Sequence, residues 1–177
     1  MPSPAMKVDA QSVKSLRDKT GAAFGDCRKA LEETGGDEAK AIAWLKERGA
    51  QIAQKREGRT TGQGRVEAYV HHDGRVAAIV EVACETDFVA RTADFLQFCR
   101  DVAMQVAAMS PKYLREEDKP ANVQVSEDEK AFAYLLHQPF IKDAKLTIGD
   151  LLKALIAKTG ENVVIKRFVR FGLGETS

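Results

Sequence analysis

The chain has 177 residues, a length that suits one domain or two small ones, and two small ones is the expectation. Hydrophobic residues make up 44% and charged residues 30%, a globular balance that excludes global disorder. With 27 Lys and Arg against 26 Asp and Glu the formal charge is +1, so no chain-wide field exists to grip a nucleic-acid backbone or an anionic bilayer. No apolar run approaches the ~20 residues that cross a bilayer, and the N-terminus carries no long apolar stretch for export, so a soluble cytoplasmic protein is expected. Cys27, Cys84 and Cys99 match no zinc or redox spacing and read as packing residues.

Met1-Pro2-Ser3-Pro4 resists regular structure because proline lacks a donor, and Met6 offers a second start. From Asp9 the text is helical. Asp9 caps a first helix carrying Val13 and Leu16, which Thr20-Gly21 stops. A second helix carries Cys27, Ala30 and Leu31 and halts at Gly35-Gly36. Asp37 caps a third with Ala41, Ile42 and Leu45, and Gly49 is expected to end it. These three helices make a small bundle over residues 7–57, near the lower size limit for independent folding. Lys46, Arg48, Lys55, Arg56, Arg59 and Arg65 then meet only Glu47 and Glu57. That segment, 46–65, reads either as a basic patch for RNA or an acidic partner, or as a solvated region around a linker at 58–64. The second reading is preferred because no aromatic interleaves the charges.

After the linker the apolar period switches from 3.6 to 2. Val66 to His72 and Arg75 to Cys84 flank Asp73-Gly74, which predicts a hairpin closed by a two-residue type I′ turn. Paired residue numbers then sum to 147, so Val66, Ala68, Val70, Ala77 and Ile79 share one face and Tyr69, Val80 and Val82 the other. Both faces are substantially apolar. Helices on one side leave the second needing cover, for which self-association is the economical answer. Thr92 opens a helix with Phe95, Phe98, Cys99, Val102, Val106 and Met109, ended by Ser110-Pro111 and ~27 Å long. Arg115 to Lys130 reads as a solvated, acidic connection. Ser126 with Glu129 caps a short helix bearing Phe132, Leu135 and Leu136, and Thr147 with Asp150 caps another bearing Leu151, Leu152, Leu155 and Ile156, which Gly160 terminates. Val163 to Phe171 is β-branched and aromatic, a third strand, and Gly172 to Ser177 is expected to fray. The fold class is α+β: a three-helix bundle, then a core at 65–177 of a small antiparallel sheet covered by helices.

Catalytic chemistry is mostly missing from this text. His71 and His72 would face opposite sides of a strand, so no metal site is expected. A nucleophile built from Cys84 and His71 lacks an orienting group and oxyanion donors. Neither phosphate-binding loop pattern occurs, so no cofactor and no direct nucleotide binding are expected, and the protein reads as a binding protein rather than an enzyme. One segment breaks the pattern: Glu85-Thr86-Asp87-Phe88-Val89-Ala90 puts a large aromatic beside a carboxylate at an element junction. Either Phe88 closes the core while Asp87 favours a helix N-terminus, or an aromatic anchor with a charged neighbour stands out to enter a partner's pocket.

The run Cys84-Glu85-Thr86-Asp87-Phe88-Val89-Ala90-Arg91 resembles the signature of the translation elongation factor Ts family. Val13 to Ala22 with Asp26 to Leu31 and Gly36-Asp37 is similar to that family's N-terminal, ubiquitin-associated-like bundle. Leu136 to Asp143 and Gly160 to Phe171 resemble its late core and closing strand, in order along nearly the whole chain. The resemblance implies a guanine-nucleotide exchange factor that binds elongation factor Tu and promotes GDP release by inserting Asp87 and Phe88 near the nucleotide and magnesium. It implies partner contacts at Thr86, Asp87, Phe88 and Val89, and at Val13 and Leu16 of the bundle. Phe24-Gly25 stand where the family commonly has two methionines, and the segment from Pro111 to Tyr134 is shorter than usual. Single-core relatives of this kind are similar to homodimers, which agrees with the two-faced hairpin. An RNA- or ribosome-associated module using 46–65 is the alternative.

Overall fold

In the computed structural model, residues 8–175 are described; the expectations for Met1 to Pro4, for Met6 and for the last two residues lie outside them. Helix α1 (Ala10–Thr20) starts where the Asp9 carboxylate accepts a hydrogen bond from the Ser12 amide at 2.8 Å, and stops at Gly21 in the left-handed region. Helix α2 (Phe24–Glu33) buries Cys27, Ala30 and Leu31, and α3 (Glu38–Arg56) starts from an Asp37 cap. The three close a core of Val13, Leu16, Cys27, Ala30, Leu31 and Ala41.

Gly49 does not end α3. The helix continues seven residues further, because Gly49 is buried against helix α7 (Ile148–Thr159) and Ile52 and Ala53 beyond it pack onto the second core. Tertiary packing overrides the weak helix propensity of glycine here. The third bundle helix therefore doubles as a brace between the bundle and the α+β part. Strand β1 (Gln63–Val70) begins inside the expected linker, and Gly64 at φ 151 lies so close to the Val82 carbonyl that a Cβ would collide with it.

Strand β2 (Val76–Cys84) is the centre of a three-stranded antiparallel sheet between β1 and β5 (Val163–Gly172). The register is the expected one: Ala68 lies opposite Ile79, and Val70 opposite Ala77. The turn is different. His71 N–H donates to the Val76 carbonyl and Gly74 N–H to the His71 carbonyl, both at 2.8 Å, so four residues form the loop. A type I′ turn needs two successive positive φ angles, and here only Gly74 (φ 69) has one. Asp73 instead accepts the Arg75 amide at 3.0 Å, an Asx turn that holds its carboxyl below the usual carboxylate range. The chain end is ordered further than expected: Gly172 pairs with Val76, and Leu173 N–H donates to the Arg75 carbonyl at 2.8 Å.

Helix α5 (Ala93–Met109) lies across β1 and β2 and buries Phe95, Phe98, Cys99, Val102 and Val106 against Ala78, Val80 and Val82. Its N-cap is Thr92 and its stop is Ser110 in the left-handed region. Ser126 with Glu129 does form a capping box, but α6 (Glu127–Ala133) ends before Leu135, which is buried in a separate 3₁₀ turn at Leu135–His137. A small ribbon of β3 (Pro139–Phe140) and β4 (Asp143–Thr147) follows, unannounced by any alternation in its sequence. The fold is α+β, with one sheet face under α5 and the opposite one left uncovered by the described residues.

Candidate functional site

Strand β2 ends at Cys84 and α5 begins after Thr92; between them the chain makes one four-residue turn of helix, α4 (Asp87–Ala90). Thr86 caps it, its hydroxyl accepting the Val89 amide at 3.3 Å. A helical turn points successive side chains ~100° apart, so Val89 can enter the core while Asp87 and Phe88 turn outward. Val89 is 5% exposed and packs in the main core, whereas Phe88 is 78% exposed, the most exposed large hydrophobic side chain among the described residues. Asp87 is also exposed and pairs with Arg91 one turn on at 2.9 Å. An aromatic ring in water beside a carboxylate loses apolar burial without gaining anything for its own fold.

The junction is held from behind by a loop distant in sequence. Glu161, which follows the Gly160 stop of α7, accepts hydrogen bonds from the Glu85 amide (3.1 Å), the Thr86 amide (3.0 Å) and the Thr86 hydroxyl (2.6 Å). In return Glu85 accepts the Asn162 amide at 2.7 Å and pairs with Arg59 at 3.6 Å, while the Asn162 side chain donates to the Arg59 carbonyl at 2.9 Å. None of these partners was read from the sequence as belonging to the junction.

Of the other residues singled out, Thr86 is exposed but fully engaged as a cap. Val13 and Leu16 are 1% and 0% exposed inside the bundle, so their side chains offer no surface for docking; helix periodicity turns both inward. Val89 is likewise a core residue and not a contact surface. Apolar surface on the bundle comes instead from Phe24, which is half exposed at the start of α2.

Cys84 and His71 are not brought together. Cys84 lies opposite Gln63 at one end of the hairpin and His71 stands at the other, roughly 27 Å along the strand. Burial pushes the Cys84 thiol up to about 11, with the Glu161 charge adding to it, the reverse of what a nucleophile needs. The basic segment is partly neutralised: Arg48 pairs with Asp26 at 3.0 Å, Arg59 with Glu85, and Arg65 with Glu67. Among the described residues no helix is long and apolar enough to cross a membrane.

Comparison with known proteins agrees along the chain. The family model described as elongation factor TS matches residues 11–134. Elongation factor Ts of Carboxydothermus hydrogenoformans is 47% identical, covering 95% of this chain and 90% of the relative. That of Solidesulfovibrio magneticus is 46% identical over 95% and 98%, and that of Coprothermobacter proteolyticus 44% over 96% and 100%. The first two alignments run over 195 positions against 177 residues, so the relatives carry segments this chain lacks. Identity of 44–47% over 95–96% of the chain, with the family model matched across 11–134, leaves one conclusion: the chain belongs to the elongation factor Ts family.

Proposed function

We propose that the protein is a guanine-nucleotide exchange factor for elongation factor Tu, and that Asp87 and Phe88 are the elements it inserts near the bound GDP and its magnesium. The single observation that carries this reading is the exposed Phe88 ring on a turn whose other apolar members, Val89 and Ala90, pack on the core. A ring so placed is a preformed anchor, with little ordering left to do on binding. Its carboxylate neighbour brings negative charge toward a site that holds a phosphate and a cation, where it competes with one for the other. Exchange then follows from coupling: factor and nucleotide each weaken the other's hold on the GTPase by the same factor, so that incoming GTP expels the exchange factor in turn. The bundle is a second docking element, its outer surface shaped from behind by Val13 and Leu16.

A second copy of the chain covers the free sheet face. Val66, Val70, Ile79, Val169 and Phe171 all stand exposed there, on three paired strands, in contiguous rows. A patch of that kind on a small protein marks an interface. The active species is on this reading a homodimer presenting two junctions to two partners.

Release of fluorescent GDP from elongation factor Tu tests the exchange role. The parent protein is expected to accelerate release, and Phe88→Ala to lose most of that acceleration while keeping its thermal midpoint, since the ring contributes nothing to its own core. An unfolded variant, or one that exchanges normally, sinks the wedge reading.

A further inference from the structure

We infer that Glu161 is the positioning residue of the exchange junction: its carboxylate fixes the backbone immediately before Asp87 and Phe88 so that the wedge is rigid before it meets its partner. The inference rests on the reading of Asp87 and Phe88 as that wedge. Three donors converge on this one side chain, the amides of Glu85 and Thr86 and the Thr86 hydroxyl, all between 2.6 and 3.1 Å. Thr86 is at once the cap of α4 and the residue adjoining Asp87, so holding Thr86 sets the direction in which the four-residue helix leaves the sheet. A single helical turn cannot hold its own orientation, because nucleating it fixes several dihedrals for very few hydrogen bonds. Orientation has to come from outside: Val89 anchors one side of the turn in the core, and Glu161, 75 residues away in sequence, fixes the backbone where the turn starts.

The clasp is reciprocal. Glu85 accepts the Asn162 amide at 2.7 Å, so each of the two loops ties down a backbone donor of the other. Arg59, on the segment leading into β1, closes the ring through its ion pair with Glu85 and its carbonyl contact with Asn162. Charge-assisted bonds of this type are the strong class, and the two carboxylate oxygens share the donors, Oε2 taking both amides and Oε1 the hydroxyl. Removing the carboxylate leaves the sheet and α5 intact, since Phe95, Val80 and Val82 pack without it, but frees the turn to sample other directions. A displacement of about 1 Å in a positioned group costs up to 100-fold in rate in other systems.

The test measures release of fluorescent GDP from elongation factor Tu over a range of exchange-factor concentrations. Glu161→Ala is expected to lower the limiting rate about tenfold, the equivalent of one charge-assisted hydrogen bond, with a much smaller change in the half-saturating concentration. Glu161→Gln is expected to recover most of the rate, because its oxygen still accepts two amides and its NH₂ can donate to the Thr86 hydroxyl. In the Phe88→Ala background the Glu161→Ala change is expected to add nothing. If Glu161→Ala keeps the parental limiting rate while Phe88→Ala loses it, the clasp is refuted and the wedge stands; if both keep it, the wedge itself fails. Equal losses in Glu161→Gln and Glu161→Ala, tracking a fall in thermal midpoint, would mean a merely structural role and overturn the inference. Should Glu161→Ala not fold, the near-isosteric Glu161→Leu, which removes all three acceptor contacts, carries the comparison, and a parental limiting rate in that variant refutes the clasp.

Discussion

Gly49 in the middle of α3 faces Ala157 of α7, and a Cβ placed on Gly49 would lie 3.8 Å from the Ala157 methyl and 3.8 Å from the Lys153 carbonyl oxygen. Those are ordinary van der Waals separations, so one methyl fits and anything larger does not. Gly49→Ala is therefore expected to stabilise the protein by ~0.5–1 kcal/mol, through the entropy an interior helical glycine costs. Gly49→Leu is expected to destabilise it by ~1–3 kcal/mol by wedging the brace helix off α7. Urea unfolding of both variants checks the pair; equal destabilisation would show that the two helices are closer packed than described.

The uncovered sheet face gives a prediction with a different readout. Ile79 sits at the centre of its row, between Ala68 on β1 and Val169 on β5, with Phe171 one row away. Ile79→Glu puts a charge into the middle of the apolar patch without touching the side that packs on α5. Light scattering at tens of micromolar is expected to report a dimer for the parent and a monomer for the variant, with unchanged circular dichroism. A monomeric parent would leave the patch without the proposed occupant.

What could be read from the sequence and what could not divides along the range of the interactions. The starts at Asp9, Asp37, Thr92 and Thr147 were legible because a cap bonds three residues away. The hairpin register was legible too, even though the turn was misread. A two-residue loop at 73–74 and the observed four-residue loop at 72–75 share one centre, so the pairing sum of 147 holds for either, whereas the turn type depends on the Asp73 carboxylate finding the Arg75 amide. Gly49 misleads because a glycine that stops a helix and one that lets another helix approach are the same letter. Phe88 was legible as an anomaly but not as an exposed one, since sequence cannot say whether an aromatic at a junction turns in or out. Glu161 left no local sign at all, because its partners arrive from the far end of another strand.

The buried thiols predict the alkaline limb of stability. Burial raises the Cys84 thiol to about 11 and the Cys99 thiol to about 12, and raises that of Cys27 as well. In the unfolded chain these groups ionise near ~8.5. Above that pH the unfolded state has released protons that the folded state retains, so stability is expected to fall as pH rises from about 9 toward 11. At pH 8 a thiol reagent is expected to leave the native protein unmodified and to label all three cysteines in urea. Rapid labelling of the native state would contradict the burial.

Gln105, in the fourth turn of α5, is buried in the core yet leaves none of its polar atoms idle. Its NH₂ donates to the Gln138 side-chain oxygen at 3.1 Å and to the Pro139 carbonyl at 3.0 Å, and its own oxygen accepts the Ile141 amide at 3.0 Å. Gln138 in turn donates to the Phe132 carbonyl at 2.6 Å, so two side chains satisfy the backbone of a segment that has little regular structure of its own. Replacing Gln105 by Leu keeps the volume roughly constant but orphans an amide and two acceptors together. At ~1–3 kcal/mol for each buried group left unpaired, and with some relaxation, a loss of ~2–4 kcal/mol is expected. The urea midpoint should drop accordingly, and hydrogen exchange at Ile141 should accelerate. Because Gln105 lies about 18 Å along α5 from the end that carries the junction, the folded fraction is expected to promote GDP release at the parental rate. A matched loss of exchange would mean that the ribbon beyond Gln138, and not only the Thr86 to Phe88 turn, takes part in the partner interface.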